Sequence, residues 1–337
     1  MDDSTSETPQ TDVSRETSGL GGLTAGLGAT RTAADIAANS TLLDDTETPL
    51  ARAAEHSVLA RQSVLNRPAI PRPATPRIFV VANQKGGVGK TTSTVNLAAG
   101  LAQLGQRVLV IDLDPQGNAS TALGVPHPVG TPGTYEVVVD GAAIDDVAVP
   151  CPDVDGIDVV PATIDLAGAE IELVPAVARE FRLKNALTAS KRTSPDNEDR
   201  WDFVFVDCPP SLGLLTINAL TAGSEVLIPI QAEYYALEGL AQLLNTVELA
   251  RKALNPVIRV SAMLITMYDA RTRLAAGVAD QVRDSFGDIV LNTYIPRSVR
   301  VSEAPSYGES VMTYDPGSPG ALSYLEAARE LALKGTS

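Results

Sequence analysis

Seven short runs rich in Val, Ile and Leu punctuate the chain: Ile78–Asn83, Val108–Asp112, Ile157–Val160, Phe203–Asp207, Val226–Ile230, Val260–Thr266 and Ile289–Ile295. Apolar runs this short, without polar alternation, predict strands of a parallel sheet buried on both faces. Between them, apolar residues recur at helical spacing over Thr91–Leu104, Leu214–Ala222, Leu237–Leu254 and Leu274–Phe286, and Ser318–Lys334 reads as a closing amphipathic helix. Strands alternating with helices predict an α/β, doubly wound fold: a mostly parallel sheet flanked by helices. The polar stretches Asp145–Gly156 and Ser190–Arg200 read as loops, and no internal repeat is evident.

The first 76 residues lack this pattern. They are rich in Ser, Thr, Ala, Pro and Asp, contain no aromatic residue, and carry 6 basic against 10 acidic side chains. Such a segment buries too little apolar area to offset its ordering entropy, so residues 1–76 are expected to be a mostly disordered tail and linker ahead of a folded domain over 77–337. Within the tail, Thr48 can cap a helix with Pro49 at its first position, placing Leu50, Ala54, Val58 and Leu65 near one face. That stretch reads as a weakly helical linker or as a short helix that docks a partner. Pro68, Pro71, Pro73 and Pro76 then form a stiff spacer.

Composition narrows the function classes. Of 337 residues, 44% are hydrophobic and only 4% aromatic, so the core must rest on Ala, Val, Leu and Ile. The net charge of -15 argues against a protein that coats nucleic acid by bulk charge, while leaving room for a local basic patch. The two cysteines, Cys151 and Cys208, are too few for a disulfide framework or a four-thiolate metal site, which fits a reducing intracellular setting. No apolar run approaches the roughly 18 residues of a membrane span, and the N-terminus does not read as a signal peptide. His56 and His127 are isolated and are assigned no role.

The chemistry concentrates where the first strand runs into Gln84-Lys85-Gly86-Gly87-Val88-Gly89-Lys90-Thr91-Thr92 and then a helix. This matches the phosphate-loop pattern loosely, with a shorter glycine spacing and a second lysine before the glycines. Gly86, Gly87, Val88 and Gly89 can crowd backbone N–H groups around phosphate oxygens, with the positive end of the helix behind them. Lys90 is expected to reach the β- and γ-phosphates of ATP, Thr91 to hold Mg²⁺, and Thr92 to belong to the same cradle. A plain glycine turn would need neither lysine nor the hydroxyl pair. Asp207 ends the run Phe203–Val206, where a carboxylate can hold a Mg²⁺-bound water, and Asp112, also at a strand end, can assist around the metal. Each of these acids could instead be a helix cap or turn residue. Three with Asp114, at the carboxyl edge of one sheet, favour chemistry.

Residues 251–300 carry 8 basic and 4 acidic side chains, a basic island in an acidic body. Arg251 and Lys252 close a helix, Arg271 and Arg273 follow a strand, and Arg297 and Arg300 lie three apart in a short turn. No base-reading module is evident, so any DNA contact should be made to phosphates and should depend strongly on salt.

Lys85-Gly86-Gly87-Val88-Gly89-Lys90-Thr91-Thr92 resembles the deviant Walker A box of the ParA/MinD ATPases. The resemblance continues over residues 78–333. Ile111–Asn118 is similar to the first switch of the ParA (Soj) branch, and Phe205–Ser211 to its Walker B strand and second switch. Thr266–Arg271 and Ile295–Pro305 are similar to late motifs of chromosomal ParA proteins. The resemblance implies that Lys85 reaches across a sandwich homodimer to the other subunit's phosphates, and that Asp114 positions the attacking water. It implies adenine contacts near Pro296, and non-specific DNA binding by the ATP dimer through Arg271 and Arg300, with Arg273, Arg297 and Lys252 as neighbours. Gln116 and Asn118 are either γ-phosphate sensors or plain turn residues. The implied function is an ATP-dependent partitioning ATPase that is cytoplasmic and nucleoid-associated. It would be slow until stimulated by a ParB-like centromere-binding protein, with a polar scaffold protein as a further partner to consider.

Three relatives of the same fold compete. A MinD-like membrane ATPase needs a basic amphipathic C-terminal helix, whereas Glu326–Ser337 is mixed in charge. A nitrogenase-reductase-like electron carrier needs cluster-holding cysteines in places that Cys151 and Cys208 do not occupy. A tyrosine kinase of this fold needs a terminal tyrosine cluster, which is absent.

Overall fold

The computed structural model describes residues 58–59, 61–233 and 239–334. Seven strands form one sheet in the order β3-β4-β2-β5-β1-β6-β7. They are β1 (Arg77–Val81), β2 (Val108–Asp112), β3 (Val149–Pro150), β4 (Ile157–Val160), β5 (Phe203–Asp207), β6 (Glu225–Gln231) and β7 (Arg259–Thr266). Every pairing is parallel except that of the two-residue edge strand β3 with β4. Helices cover both faces. On one lie α1 (Lys90–Gln103), α2 (Asn118–Ala122), α6 (Val299–Glu303) and α7 (Pro319–Leu333), and on the other α3 (Leu214–Ala222), α4 (Leu240–Ala253) and α5 (Arg273–Phe286).

Alternation along the strands builds two cores. Phe79, Val81, Val110 and Phe205 point to the α1/α7 side, while Val80, Leu109, Ile111 and Val206 point to the other. Because both sides are covered, the central strands β1, β2 and β5 carry polar residues only at their ends, and the runs stand out in the sequence. Phe79 stacks on Phe205 at 5.4 Å between ring centres. Gly100 lets α7 approach α1 closely, since a Cβ there would lie 2.9 Å from that of Ala328. The C-terminal helix spends its apolar residues Tyr324, Leu325, Ala328 and Leu331 in this contact.

Three expectations are corrected. The run Ile289–Ile295 is not a strand. Its Leu291 and Ile295 amides do bond β7, to Met263 and Ile265, but the amides of Asn292 and Thr293 turn to the Glu330 carboxylate at 2.6 and 3.0 Å. A single isolated bridge to β7, Val290 with Met263, survives. The stretch Asp145–Gly156 is not wholly a loop, since it holds the end of a short helix, Ile144–Val147, and β3. The third concerns the linker. Residues 61–65 are helical, and residues 61–76 lie along the domain as a strap rather than a free spacer. Val64 and Ile70 are buried in the α1/α7 core. Arg72 donates to Asp202 at 2.7 Å, Gln106 to the Ile70 carbonyl, Arg200 to the Pro73 and Ala74 carbonyls, and Arg329 to the Pro68 carbonyl. The expected disordered tail and the helix capped by Thr48 fall largely on residues 1–57, outside the described residues, and the expected helix start at Leu237 also lies outside them.

The strap carries a stability prediction. A chain beginning at residue 77 is expected to be less stable than one beginning at residue 58 by about 3 kcal/mol or more, since burying one aliphatic side chain contributes roughly 1.5–3 kcal/mol. Urea unfolding of the two truncations measures the difference, and coincident midpoints would remove the strap from the fold.

Candidate nucleotide site and basic edge

The glycine loop lies at the carboxyl edge of the sheet, between β1 and α1. Gly87 and Gly89 adopt φ of 73° and 89°, a left-handed backbone that side-chain-bearing residues rarely take. Space is open beside Gly86 and Gly87, where an added Cβ would meet nothing within 4 Å. Asn83 anchors the loop from below: its amide donates to the Pro229 carbonyl at 2.8 Å, and its side-chain oxygen accepts from the Lys85 N–H at 3.0 Å. Thr266 anchors it from the side by donating to the Val88 carbonyl at 2.8 Å. Helix α1 opens at Gly89 with no side-chain cap and no acidic residue in its first turn. Its leading amides therefore face the loop with no carboxylate competing for an anion.

Lys90 is buried, and its Nζ leans on the Lys85 carbonyl at 3.4 Å. Burial pulls its pKa down, opposed by the carboxylates of Asp207 and Asp114. Asp207 accepts from the Thr91 hydroxyl at 2.7 Å and from the Thr94 hydroxyl at 3.1 Å. Asp207 and Asp112 are register partners on β5 and β2, both fully buried, and burial drives both carboxyls up. Lysine, hydroxyl and carboxylate beside an uncapped, glycine-opened loop form the donor set that a magnesium-bound phosphate chain requires, so the residues present fit such a ligand.

Asp112 is tied into the turn that follows it. One of its oxygens accepts from both the N–H and the hydroxyl of Ser120, at 2.8 and 2.7 Å, and the other from the Asp114 N–H at 3.2 Å. Its carboxylate thus grips the turn that carries Asp114 and the start of α2. Asp114 lies beside the loop, one oxygen accepting from the Gln116 N–H at 3.0 Å, which gives Gln116 a turn role at its backbone. Lys85, partly exposed, pairs loosely with Glu233 at 3.8 Å, and Arg297 meets the same carboxylate at 3.3 Å. Pro296 lines a small cavity with Gly89, Thr92, Thr266 and Tyr324, adjoining the loop. Cys151 and Cys208 are both buried and free, and among the described residues no cluster of metal-ligating side chains occurs.

The basic island of the sequence splits in space. Arg271 and Arg273 lie past the end of β7, and Arg297 is held near them because its N–H donates to the Tyr268 carbonyl while the Tyr268 N–H donates to the Ile295 carbonyl. Arg300 follows on α6, so these four share the carboxyl edge. Lys252 does not join them. It ends α4, next to the start of β7, and the eight residues of that strand separate it from Arg271. The grouped arginines carry carboxylate partners: Arg271 with Asp269 at 2.8 Å, and Arg300 with Glu303 and Asp315 at 3.2 and 3.4 Å. Arg271 holds the Asp269 carboxyl down at about 2.

Thr94, Ser120, Thr266 and Glu233 were missed in the sequence. Thr94 alone left a signal, standing one helical turn after Thr91, so that both hydroxyls share a face. Thr266 reaches Val88 across 178 residues, Glu233 reaches Lys85 from a distant strand end, and Ser120, eight residues after Asp112, has no spacing rule to mark it.

A family described as an AAA domain matches residues 76–260. The sporulation initiation inhibitor protein Soj of Bacillus subtilis is 53% identical over 259 residues, spanning 77% of this chain and 99% of that protein. The chromosome partitioning protein ParA of Caulobacter vibrioides is 48% identical over 255 residues, spanning 76% and 93%. Among solved structures, cobyrinic acid a,c-diamide synthase from Mycobacterium smegmatis with bound ADP and magnesium is 37% identical, with a TM-score of 0.64 over 76% of this chain and 94% of that one. With its phosphate loop, its strand-end acids and these relatives taken together, the chain belongs to the Soj/ParA family of chromosome-partitioning ATPases.

Proposed function

We propose that this chain binds and hydrolyses ATP with Mg²⁺ and uses the cycle to partition DNA. The observation that carries the reading is the Lys90–Thr91–Asp207 cluster at the mouth of the uncapped glycine loop. The backbone of Gly86–Thr92 and the Lys90 ammonium hold the phosphates, and Thr91 with Asp207 hold the magnesium ion, which supplies charge neutralisation when bound. Asp112, which accepts from Ser120 and Asp114, fixes the turn carrying Asp114 beside the magnesium site. Asp114 orients the attacking water, and Pro296 borders the base. Lys85, partly exposed and loosely held, reaches a second copy's phosphates, so that charge neutralisation and homodimerisation are one event.

The dimer then rests on DNA phosphates without reading bases, through Arg271, Arg273, Arg297 and Arg300. A ParB-like centromere-binding partner completes the catalytic geometry and releases it, and hydrolysis is slow without that partner. No observation favours the membrane reading, as the apolar residues of α7 are packed against α1 and no described helix is long and apolar enough to cross a bilayer.

Arg300→Ala tests the DNA limb. With ATP and Mg²⁺, its retention on non-specific duplex is expected to fall about tenfold, and the slope of log affinity against log salt to flatten by about one. ATP binding should be unchanged. Wild-type retention across the salt series would refute the basic edge.

A further inference from the structure

The basic edge carries its own counter-charges. Asp269 lies 2.8 Å from Arg271, Glu233 3.3 Å from Arg297, and Glu303 and Asp315 3.2 and 3.4 Å from Arg300. Among the described residues only Arg273 has no carboxylate partner. Four guanidiniums thus meet four carboxylates, and Lys85, which shares Glu233, leaves a single positive charge over. The basic excess of residues 251–300 does not survive folding at this edge. Arg251, Lys252 and Arg259 lie at the far end of β7, while Glu233, Glu303 and Asp315 come in from outside that stretch.

Two of the pairings are built into the local fold. One Asp269 oxygen accepts from the Arg271 backbone N–H at 3.0 Å and from its Nε–H at 2.9 Å, and the other accepts from Nη2 at 2.8 Å. This two-pronged grip takes the side of the guanidinium that suits a phosphate group equally well. The Arg271 side chain is 88% exposed, so no desolvation forces the pairing on it. Arg300 is held from two elements: its Nη1 donates to Glu303, one turn further along α6, and its Nε faces Asp315 in the turn before α7.

We propose that Asp269, Glu303 and Asp315 are built-in phosphate mimics, which occupy Arg271 and Arg300 in the free chain and are displaced when DNA phosphates bind. This rests on the edge being the DNA contact. A displaced carboxylate stays tethered beside its arginine and competes for it, so the chain holds DNA more weakly, and lets go of it sooner, than its arginines alone would allow. It also mutes the response to salt, because an arginine with a carboxylate beside it neutralises a phosphate only in part.

The test combines Asp269→Asn, Glu303→Gln and Asp315→Asn in the full chain, with each change also made singly. Asn at 269 keeps an acceptor for the Arg271 N–H, and Glu233 is left intact because it also meets Lys85. A control variant, Asp196→Asn with Asp199→Asn and Glu248→Gln, removes the same charge at the amino-terminal edge of the sheet. Matching melting temperatures show which variants are folded, and the single changes stand in for the triple if it is not. Retention of a short non-specific duplex is measured with ATP and Mg²⁺ across a salt series. At ~0.15 M salt the triple variant is expected to bind at least about tenfold more tightly and to dissociate more slowly, with a log–log salt slope steeper by up to about one per carboxylate removed. The control is expected to stay near wild type, since charges more than about 8 Å from the DNA are screened at that salt. Wild-type affinity and slope in the triple variant overturn the proposal and leave the DNA contact standing. An equal gain in the control also overturns it, because net charge is then the cause. If neither wild type nor the triple variant retains duplex at ~50 mM salt, the edge is not a DNA contact, and both ideas fall together.

Discussion

Lys90→Ala is expected to bring ATP binding below detection while leaving the nucleotide-free protein as stable as wild type, or more so. The two halves follow from one fact. The Lys90 ammonium is buried among loop backbone and strand-end acids, and that burial disfavours its charge. Without ligand, the charge is a cost that Asp207 and Asp114 only partly offset, so deleting it does not weaken the fold. With ligand, the same ammonium meets phosphate oxygens in a poorly solvated place, where a charge-assisted contact contributes about 1.5–3 kcal/mol or more. Thermal melts separate the halves. ATP at ~100 times its Kd should stabilise wild type by about 2.7 kcal/mol, and the variant by no more than a few tenths at the same concentration. A variant that retains the full ATP-induced shift would sink the assignment of Lys90 to the phosphates.

Glu225→Ala is expected to destabilise the fold by about 3–5 kcal/mol, the usual effect of leaving one partner of a buried ion pair uncompensated. Glu225 begins β6 and meets Arg77, which begins β1, through two bonds of 2.7 and 2.8 Å. Both side chains are largely buried, at 4% and 12% exposure. Arg77 also donates to the Leu331 and Ala332 carbonyls and lies over the Phe79 ring at 4.8 Å, so when Glu225 is removed its largely buried guanidinium keeps neutral carbonyl partners and no counter-charge of its own. Replacing the pair by Arg77→Met with Glu225→Leu should cost far less than either single loss. The pair also sets an acid limit. Burial pushes the Glu225 carboxyl up, but its bonds with Arg77 and the charges of Arg77 and Arg259 outweigh it and hold its pKa below the ordinary 4.5. This stabilisation is therefore complete above about pH 4.5 and is lost as pH falls through the lower native value. Urea midpoints of wild type and the double variant, measured from pH 7 to pH 3, should converge toward acid, and parallel curves would contradict the linkage.

Much of the sheet was legible because its strands are covered on both sides. The expected bounds Val108–Asp112, Ile157–Val160 and Phe203–Asp207 are those observed. The same signal misled at Ile289–Ile295, equally rich in aliphatics, because the competing acceptor Glu330 lies on α7, some 38 residues away. The helix Leu166–Glu172 escaped notice for the opposite reason: Ile164 and Ile171 are apolar yet exposed, and they blur the one-sided period that marks a buried helix. The phosphate loop could be read locally because glycines, lysine and hydroxyls act through backbone that is continuous in sequence. The Asp112–Ser120 grip and the Glu233 pairing with Lys85 could not, since the first depends on how the turn after β2 folds back and the second on two distant strand ends meeting, and neither follows a spacing rule. Lys252 shows the converse, where nearness in sequence to the arginines concealed the length of β7.

The strap has a practical corollary for handling the molecule. Arg77, the first residue of β1, bonds the last turn of α7, and Arg329 of that helix bonds the Pro68 carbonyl. Both ends of the described domain therefore leave from the amino-terminal edge of the sheet, the pole opposite the glycine loop. A surface tether or fluorescent module attached at either end is carried away from the nucleotide face. The same adjacency brings the start of β1 beside the end of α7, so a circular permutant that joins the end of α7 to residue 77, leaving out the strap, and opens in a surface loop is a realistic format for the sheet and its helices.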